Sequence, residues 1–141
     1  MQAESMVHAL EQVHDLLKDG GFLIDIHPDG EKVEFLCDLD GQEQLIGYLE
    51  ENDDYIEYRQ ADDAIQTAVS KKLFKILKAG AFEFRTYADS FDEMKAFLEE
   101  NWSDAVVTED VILRAGELES EHRTYKTILR EQAKIGLLKR I

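Results

Sequence analysis

The sequence predicts an α/β protein, or α+β by strand direction, in which a mixed sheet of about five strands packs with three to four helices. Three observations predict this class. Short apolar runs bounded by Gly, Pro and Asp alternate with stretches whose apolar residues recur every three or four positions. Hydrophobic residues make up 44% of the 141 residues, which is enough for a buried core. No proline-rich or low-complexity linker divides the chain, so we expect a single domain over 1–141.

The first half of the chain is predicted to form a helix and then a β-meander of three strands. Apolar residues at helical spacing predict a helix over 4–18 that Ser5 caps and that Gly20 and Gly21 end. Branched and alternating apolar residues then predict the strands, and Pro-Asp-Gly and Asp-Gly predict the turns between them. The expected strands cover 22–27, 33–39 and 43–49.

The second half is predicted to contain three further helices and two strands. A helical pattern of apolar residues, with lysines near its end as the helix dipole favours, predicts a helix over 60–78 that Gly80 ends. Ser90 and Thr108 are expected to cap the next two helices. The predicted strands are 82–88, which alternates aromatic and charged residues, and a terminal strand from 125 to about 133.

The charge is strongly acidic and unevenly placed. The chain has 31 Asp and Glu against 16 Lys and Arg, for a net charge of −15. Residues 1–70 hold 18 acids and 3 bases, whereas 71–141 hold 13 of each. A field of that sign repels phosphate backbones, so we expect no nucleic-acid partner.

The end of the chain reverses this sign. Its basic residues are interpreted as a solvated face, with anion binding or attraction to the acidic half of this chain or of a second copy as open alternatives. They are Arg123, Lys126, Arg130, Lys134, Lys139 and Arg140.

Cysteine content and hydropathy bear on the compartment. A single cysteine, Cys37, excludes an internal disulfide and a cysteine-based zinc site. No apolar run approaches the ~20 residues that a membrane span needs, and no signal peptide precedes the first helix. We therefore expect a cytoplasmic protein without a membrane partner.

The segment from Ala9 to Pro28 resembles class I S-adenosylmethionine-dependent methyltransferases. In that family a helix of the form "aL-x-E-v-x-R-v-L-k-P-G-G" leads into the fifth strand of the sheet. Asp15 stands where the family has Arg, and Asp19 where it has Pro. The residues that fall on the pattern are Leu10, Val13, Leu17, Lys18, Gly20 and Gly21.

The resemblance implies the C-terminal half of a Rossmann-like methyltransferase fold. The family binds its cofactor through a glycine-rich loop after the first strand, because glycine lets the backbone approach the ligand closely. This chain has no G-x-G cluster, and its eight glycines are expected in turns and helix ends. The resemblance thus implies that no cofactor binds to the chain alone, and that S-adenosylmethionine binds only if a partner completes the fold.

The resemblance also implies an uncovered strand. In the intact fold the fifth strand lies between the fourth and the seventh, so without the fourth the segment 22–26 presents an apolar edge. We expect a homo-oligomer, or a partner chain carrying the N-terminal half, to cover it.

Candidate site residues follow from strand ends and aromatic residues. Asp25 and His27 lie at the end of the first strand, where open sheets place their sites and where the family's substrate pocket lies. Tyr48, Tyr55 and Tyr58, together with Phe74, are candidates for an apolar pocket, with core packing as the alternative.

Two acidic groups invite other interpretations. Asp38, Asp40 and Glu43 around Gly41 lack the register of a calcium loop, so we interpret them as a hairpin turn. Acids at 53, 54, 62 and 63 are interpreted as solvated or capping residues, with acid–base chemistry as the alternative. No metal site is expected.

Three functional hypotheses remain open at this point. The first is a methyltransferase-related half-domain that is not catalytic alone and acts as a binding or assembly module. The second is the substrate-binding half of an S-adenosylmethionine-dependent methyltransferase that a partner chain completes. The third is an acidic small-molecule-binding α+β domain without relation to methyltransferases.

Overall fold

The computed structural model describes residues 3–50 and 54–141, with side chains over 4–50 and 56–141. Within these ranges it is an α+β protein with four helices and five strands. In chain order they are α1 (Ala3–Leu16), β1 (Phe22–Pro28), β2 (Glu34–Leu39), β3 (Gln42–Tyr48), α2 (Asp54–Ser70), β4 (Phe74–Ala88), α3 (Phe91–Asn101), α4 (Glu109–Glu121) and β5 (Tyr125–Arg140).

The five strands form an open antiparallel sheet, so the expectation of a mixed sheet is wrong. The order is β1-β5-β2-β3, and β4 also pairs with β5. A parallel pair needs a crossover that returns the chain to the same end of the sheet. Here the hairpin β2–β3 and the returns to β4 and β5 bring each strand back antiparallel to its neighbour.

The predicted β-meander is half right. β2 and β3 form the hairpin, with left-handed φ angles at Asp40 (52°) and Gly41 (90°) as a tight Asp-Gly turn requires. β1, however, pairs with β5, from Phe22 opposite Lys139 to Pro28 opposite Ala133. The terminal strand supplies the apolar partners that β1 needs, and it runs seven residues beyond the predicted end at 133.

The chain groups into two compact units, which both draw on β4 and β5. Unit 1 consists of residues 1–30, 53–82 and 132–141, and unit 2 of residues 31–52 and 83–131. The single domain expected over 1–141 stays a prediction.

Unit 1 packs α1 and α2 together over one face of its strands. Ala68, Phe74 and Leu138 are its buried centre. The partly buried residues that pack against them are Leu10, Val13, Leu17, Leu23, Ile65, Leu73 and Ile76. The apolar spacing of α1 and α2 and the alternation of β1 and β4 therefore converge on one core.

Unit 2 has the larger core, formed by β2, α3, α4 and the first part of β5. Phe35, Leu49 and Met94 are fully buried there. In β3, a Cβ on Gly47 would lie 2.6 Å from Val111 Cγ2 of α4, so the close approach of helix and strand requires glycine.

The predicted helix over 60–78 is the main secondary-structure error. α2 ends at Ser70, Lys72 takes a left-handed φ of 61°, and 74–78 belong to β4. Phe74 and Ile76 alternate into the core as strand residues do, although Leu73, Ile76 and Leu77 also fit helical spacing. The predicted strand over 82–88 is accordingly only the second half of β4.

Helix ends are partly as predicted. Ser90 Oγ accepts a hydrogen bond from Glu93 N at 3.1 Å and caps α3. Thr108 stands at the N-cap of α4 but makes no side-chain cap bond, and Ser5 lies inside α1 because that helix begins earlier.

Glycines are less confined to turns than predicted. Gly20 has the left-handed φ of 74° that ends the α1 segment. The expectation for all eight is wrong, however, since four lie inside a strand or a helix. These are Gly47, Gly80, Gly116 and Gly136.

Candidate functional site

The site that the sequence placed at Asp25 and His27 lies on the helix-facing side of β1. Alternation along the strand puts Leu23, Asp25 and His27 on that side, and Leu23 packs in the core of unit 1. Lys134 of β5 stands directly opposite His27 in the ladder, and α2 brings Asp62 to the same place. All four residues belong to unit 1.

The His27 ring is held between two carboxylates. Its Nδ1 lies 2.6 Å from Asp25 Oδ2, and its Nε2 lies 2.7 Å from Asp62 Oδ1. The other Asp62 oxygen accepts a hydrogen bond from Lys134 Nζ. The side chain of His27 is 13% exposed, so these bonds are largely sheltered from water. We call these four residues the His27 cluster.

The electrostatics of the His27 cluster favour a protonated imidazole. The hydrogen bond to Asp25 raises the pKa of His27; burial opposes this shift, and Asp62 adds to it. Burial alone would raise the pKa of Asp62, but the hydrogen bonds from Lys134 and His27 outweigh it and lower that pKa. The same bond to Asp62 raises the pKa of Lys134. With His27 protonated, both ring nitrogens donate, and the two positive and two negative groups balance.

A pocket of about 210 Å³ opens beside the His27 cluster. Gly136 stands opposite Asp25 in the ladder, and Gly80 lines the same pocket. Because glycine has no side chain, these two positions leave space for the pocket. Its apolar wall is formed by Ile65, Ile76, Ala79, Ile135 and Leu138. One polar end and an apolar wall are what small-molecule sites in proteins have in common.

The geometry of the His27 cluster does not suit a metal ion. Asp25 and Asp62 bind opposite nitrogens of one ring, so the three side chains do not converge on a common point. Over 4–50 and 56–141, no group of three or more His, Cys, Asp or Glu side chains is arranged to hold a metal.

Sequence reasoning found half of this cluster. Asp62 was interpreted as a solvated or capping acid, and Lys134 as part of a solvated basic face with attraction to the acidic half as an alternative. The two side chains, which are 36% and 44% exposed, form an ion pair, so the alternative describes Lys134. A signal for Asp62 exists in the sequence: it precedes Ile65 by three residues and so shares the apolar face of α2.

The predicted aromatic pocket is divided between the units. Tyr48 ends β3 in unit 2, where its side chain is 44% exposed. Tyr58 of α2 and the fully buried Phe74 belong to unit 1. The side chain of Tyr55 falls outside the described residues.

The basic end of the chain pairs with acids of the same chain at three positions, whereas Arg123 and Lys126 are exposed, as the predicted solvated face requires. Arg130 binds Glu34 and lies 3.6 Å from Glu83. Lys134 binds Asp62, and Arg140 Nη2 lies 3.7 Å from Asp19 Oδ1. Attraction to the acidic half of the chain, the alternative interpretation, describes these three residues.

The turn at Asp40–Gly41 uses its acids as structural acceptors. Asp38 Oδ1 accepts a hydrogen bond from Gly41 N, and Asp40 Oδ1 accepts one from Thr124 N, both at 3.0 Å. This confirms the interpretation of Asp38 and Asp40 as turn residues, whereas Glu43 lies in β3 and binds Arg85. Cys37 is fully buried nearby in unit 2, where burial raises the pKa of its thiol.

A second candidate surface lies on the opposite face of β1. Phe22, Ile24 and Ile26 point away from the helices and are 58%, 63% and 57% exposed. We call these three side chains the β1 surface. Across the ladder they stand opposite Lys139, Leu137 and Ile135.

The apolar area continues from the β1 surface onto β4 and β5. A hollow of about 270 Å³ is lined there almost entirely by apolar groups, among them Ile24, Ile135 and Leu137. On its other edge, β1 pairs with no strand in the described ranges. Contiguous exposed apolar side chains of this kind mark sites of protein association.

Comparison with known proteins gives no identification, since no family model and no curated protein matches the chain. Over the described residues, no helix is both long and apolar enough to cross a membrane.

Proposed function

We propose that the chain is a methyltransferase-related half-domain that is not catalytic alone and acts as an assembly module in the cytoplasm. The observation that carries this proposal is the β1 surface, three large apolar side chains left more than half exposed on an edge strand. Proteins normally cover such an edge or interrupt it with charge. On its exposed face β1 carries neither a charge nor a proline between Phe22 and Ile26.

The strand arrangement supports the relation to methyltransferases. In the family that residues 9–28 resemble, the strand after the Gly-Gly turn lies between the fourth strand and the terminal one. Here β1 follows the same turn and pairs with the terminal strand β5, and its other edge is open among the described residues. In the family fold the N-terminal half lies on that side, so a partner chain that carries it would pair with the open edge of β1.

The layering of unit 1 supports an association surface on β1. In unit 1, α1 and α2 contribute to the core on one face of β1, while Phe22, Ile24 and Ile26 on the other face are exposed. An antiparallel sheet can leave one face to water, but that face then usually carries polar side chains. The exposed face of β1 is apolar instead, which favours a partner that covers it.

The glycines support the expected absence of a cofactor loop. None of the eight lies in a G-x-G cluster, and Gly47 in β3 is required by close packing against Val111. In the family such a loop lets the backbone approach the cofactor closely, so we expect the chain alone not to bind S-adenosylmethionine.

A calorimetric titration of the purified chain with S-adenosylmethionine tests this proposal. We expect no binding heat at millimolar ligand, at protein concentrations both above and below any self-association. Micromolar binding by the chain alone would contradict a half-domain without a cofactor site.

A second candidate function is the substrate-binding half of a methyltransferase that a partner chain completes. The His27 cluster favours it, because its pocket opens at the end of β1, where the family's substrate pocket lies. The discriminating result is binding of S-adenosylmethionine that appears only after a chain carrying the glycine-rich half is added. Binding of another small molecule by the chain alone, with neither S-adenosylmethionine nor a partner chain present, would favour the third candidate, an acidic ligand-binding domain.

A further inference from the structure

We propose that the β1 surface is covered by a second copy of this chain, with the two β1 strands antiparallel and Ile24 opposite Ile24. This rests on the proposed function, since it names the partner of the assembly module. The dimer extends the sheet through the open edge of β1 and buries the apolar side chains of both copies on one face.

The alternation of β1 restricts the possible registers. Directly opposed residues of an antiparallel pair lie on the same face of the sheet. A two-fold axis that passes through a residue position therefore places Phe22, Ile24 and Ile26 of both copies on the same face of the extended sheet. An axis between residues would place Ile24 on the face of Asp25 and is disfavoured by the hydrophobic pattern.

Among the remaining registers, the one centred on Ile24 is the best matched. It opposes Phe22 to Ile26 of the second copy and Ile24 to Ile24, so five residues of each strand pair. Centring on Asp25 would oppose two carboxylates, which is destabilising. Centring on Ile26 would bring Pro28 into the ladder, and proline has no N–H to donate.

The charge distribution favours a second copy over a strongly charged partner. Unit 1 holds 11 acidic and 9 basic residues, a net charge of −2, while unit 2 holds 20 acidic and 7 basic residues. Two copies of a nearly neutral unit can meet without the repulsion that a net charge of −15 implies for the chain as a whole. The β1 surface lies in this nearly neutral unit.

The apolar hollow next to Ile24 adds to the surface that the second copy can cover. It is lined by Ile24, Lys78, Ala79, Gly80, Ile135, Gly136 and Leu137. Interface centres are rich in large apolar side chains, as this area is, with Lys78 as the one charged residue of the lining.

Analytical ultracentrifugation of the full chain tests the proposal. The protein concentration is varied over about 1–200 µM, because a dimer with a small interface is expected to dissociate within this range. We expect a species of twice the 16.2 kDa chain mass. Ile24→Lys places a charge at the centre of the pair and is expected to weaken the dimer by roughly 100-fold or more, as central interface positions do.

Leu113→Lys is the matched control. Leu113 lies on α4 in unit 2 and is 67% exposed, close to the 63% of Ile24, so the same substitution should leave the dimer intact. Circular dichroism of both variants separates loss of association from loss of fold. A monomeric natural sequence at all concentrations, or a dimer that Ile24→Lys does not weaken, would overturn the second copy as partner.

Cross-linking tests the register. Cys37 is fully buried and unreactive in the folded chain, so Ile24→Cys introduces the one accessible thiol. Mild oxidation should give a covalent dimer with Ile24→Cys, whereas a cysteine at Phe22 alone should not, because Phe22 faces Ile26 of the second copy. A covalent dimer at 22 and not at 24 would overturn the register.

The outcomes also separate this inference from the proposed function. A monomer that associates with a chain carrying a glycine-rich half would refute the second copy while leaving the assembly module in place. A monomer that binds S-adenosylmethionine at micromolar concentration would refute both.

Discussion

Replacing Phe74 with alanine is expected to destabilise the protein by about 3–5 kcal/mol, the usual cost of removing a buried phenyl ring. Phe74 is fully buried in the core of unit 1, with the ring of His14 edge-on at 5.7 Å. It packs with Ala68 and Leu138, so its loss leaves a cavity between α2, β4 and β5. Urea unfolding of the variant and of the natural sequence measures the difference.

Phe84→Ala is the control for this measurement. Phe84 belongs to the same strand but is 53% exposed, so its loss should cost no more than about 1 kcal/mol. Equal effects of the two substitutions would contradict the assignment of 74–78 to β4. The predicted helix over 60–78 left Phe74 off its apolar face, whereas the strand places it at the centre of the core.

Replacing His27 with glutamine is expected to destabilise the protein by about 1.5–3 kcal/mol at pH 5–6, the range typical of hydrogen bonds to charged groups. His27 joins β1 to α2 through Asp25 and Asp62, and glutamine cannot supply two positively charged donors. Chemical denaturation of both proteins across pH gives the difference in the free energy of unfolding.

The pH dependence has a defined sign. The pKa of His27 is raised in the fold, so its contribution is complete below the ordinary imidazole value of about 6.5 and is lost as pH rises through the raised pKa. The pKa of Asp62 is lowered, so its contribution is present above the ordinary carboxyl value of about 3.9 and is lost as pH falls through the lowered pKa. The difference should therefore peak between about pH 4 and 6.5.

His8→Gln controls for the general effect of removing an imidazole, since the His8 side chain is 69% exposed on α1. A stability difference for His27→Gln that is flat with pH, or that grows as pH rises above 7, would contradict a protonated His27 held between two carboxylates.

Local signals in the sequence predict much of this fold. The α1 segment with its Gly20 end, the Asp40–Gly41 hairpin and the Ser90 cap all depend on residues a few positions apart. The errors occur where residues close in the sequence do not determine whether a segment forms a helix or a strand. Ile76 fits helical spacing with Leu73 and strand alternation with Phe74, and only the packing of the unit 1 core decides between the two patterns.

The candidate site shows the same division between local and distant information. Strand alternation places Asp25 and His27 together, because they are two residues apart on β1. Asp62 lies 35 residues from His27 and 72 from Lys134 in the sequence. No pattern within α2 or β5 specifies that Asp62 contacts these two residues. The pairing of β1 with β5 joins the two ends of the chain, so it too depends on tertiary packing.

Amide hydrogen exchange of β1 as a function of protein concentration tests the central claim that its open edge is an association site. We expect exchange in 22–28 to slow as concentration rises in the natural sequence, and to stay fast in Ile24→Lys. Exchange in 133–139, the part of β5 already paired with β1, should change little. Exchange in 22–28 that is independent of concentration would contradict self-association through this edge.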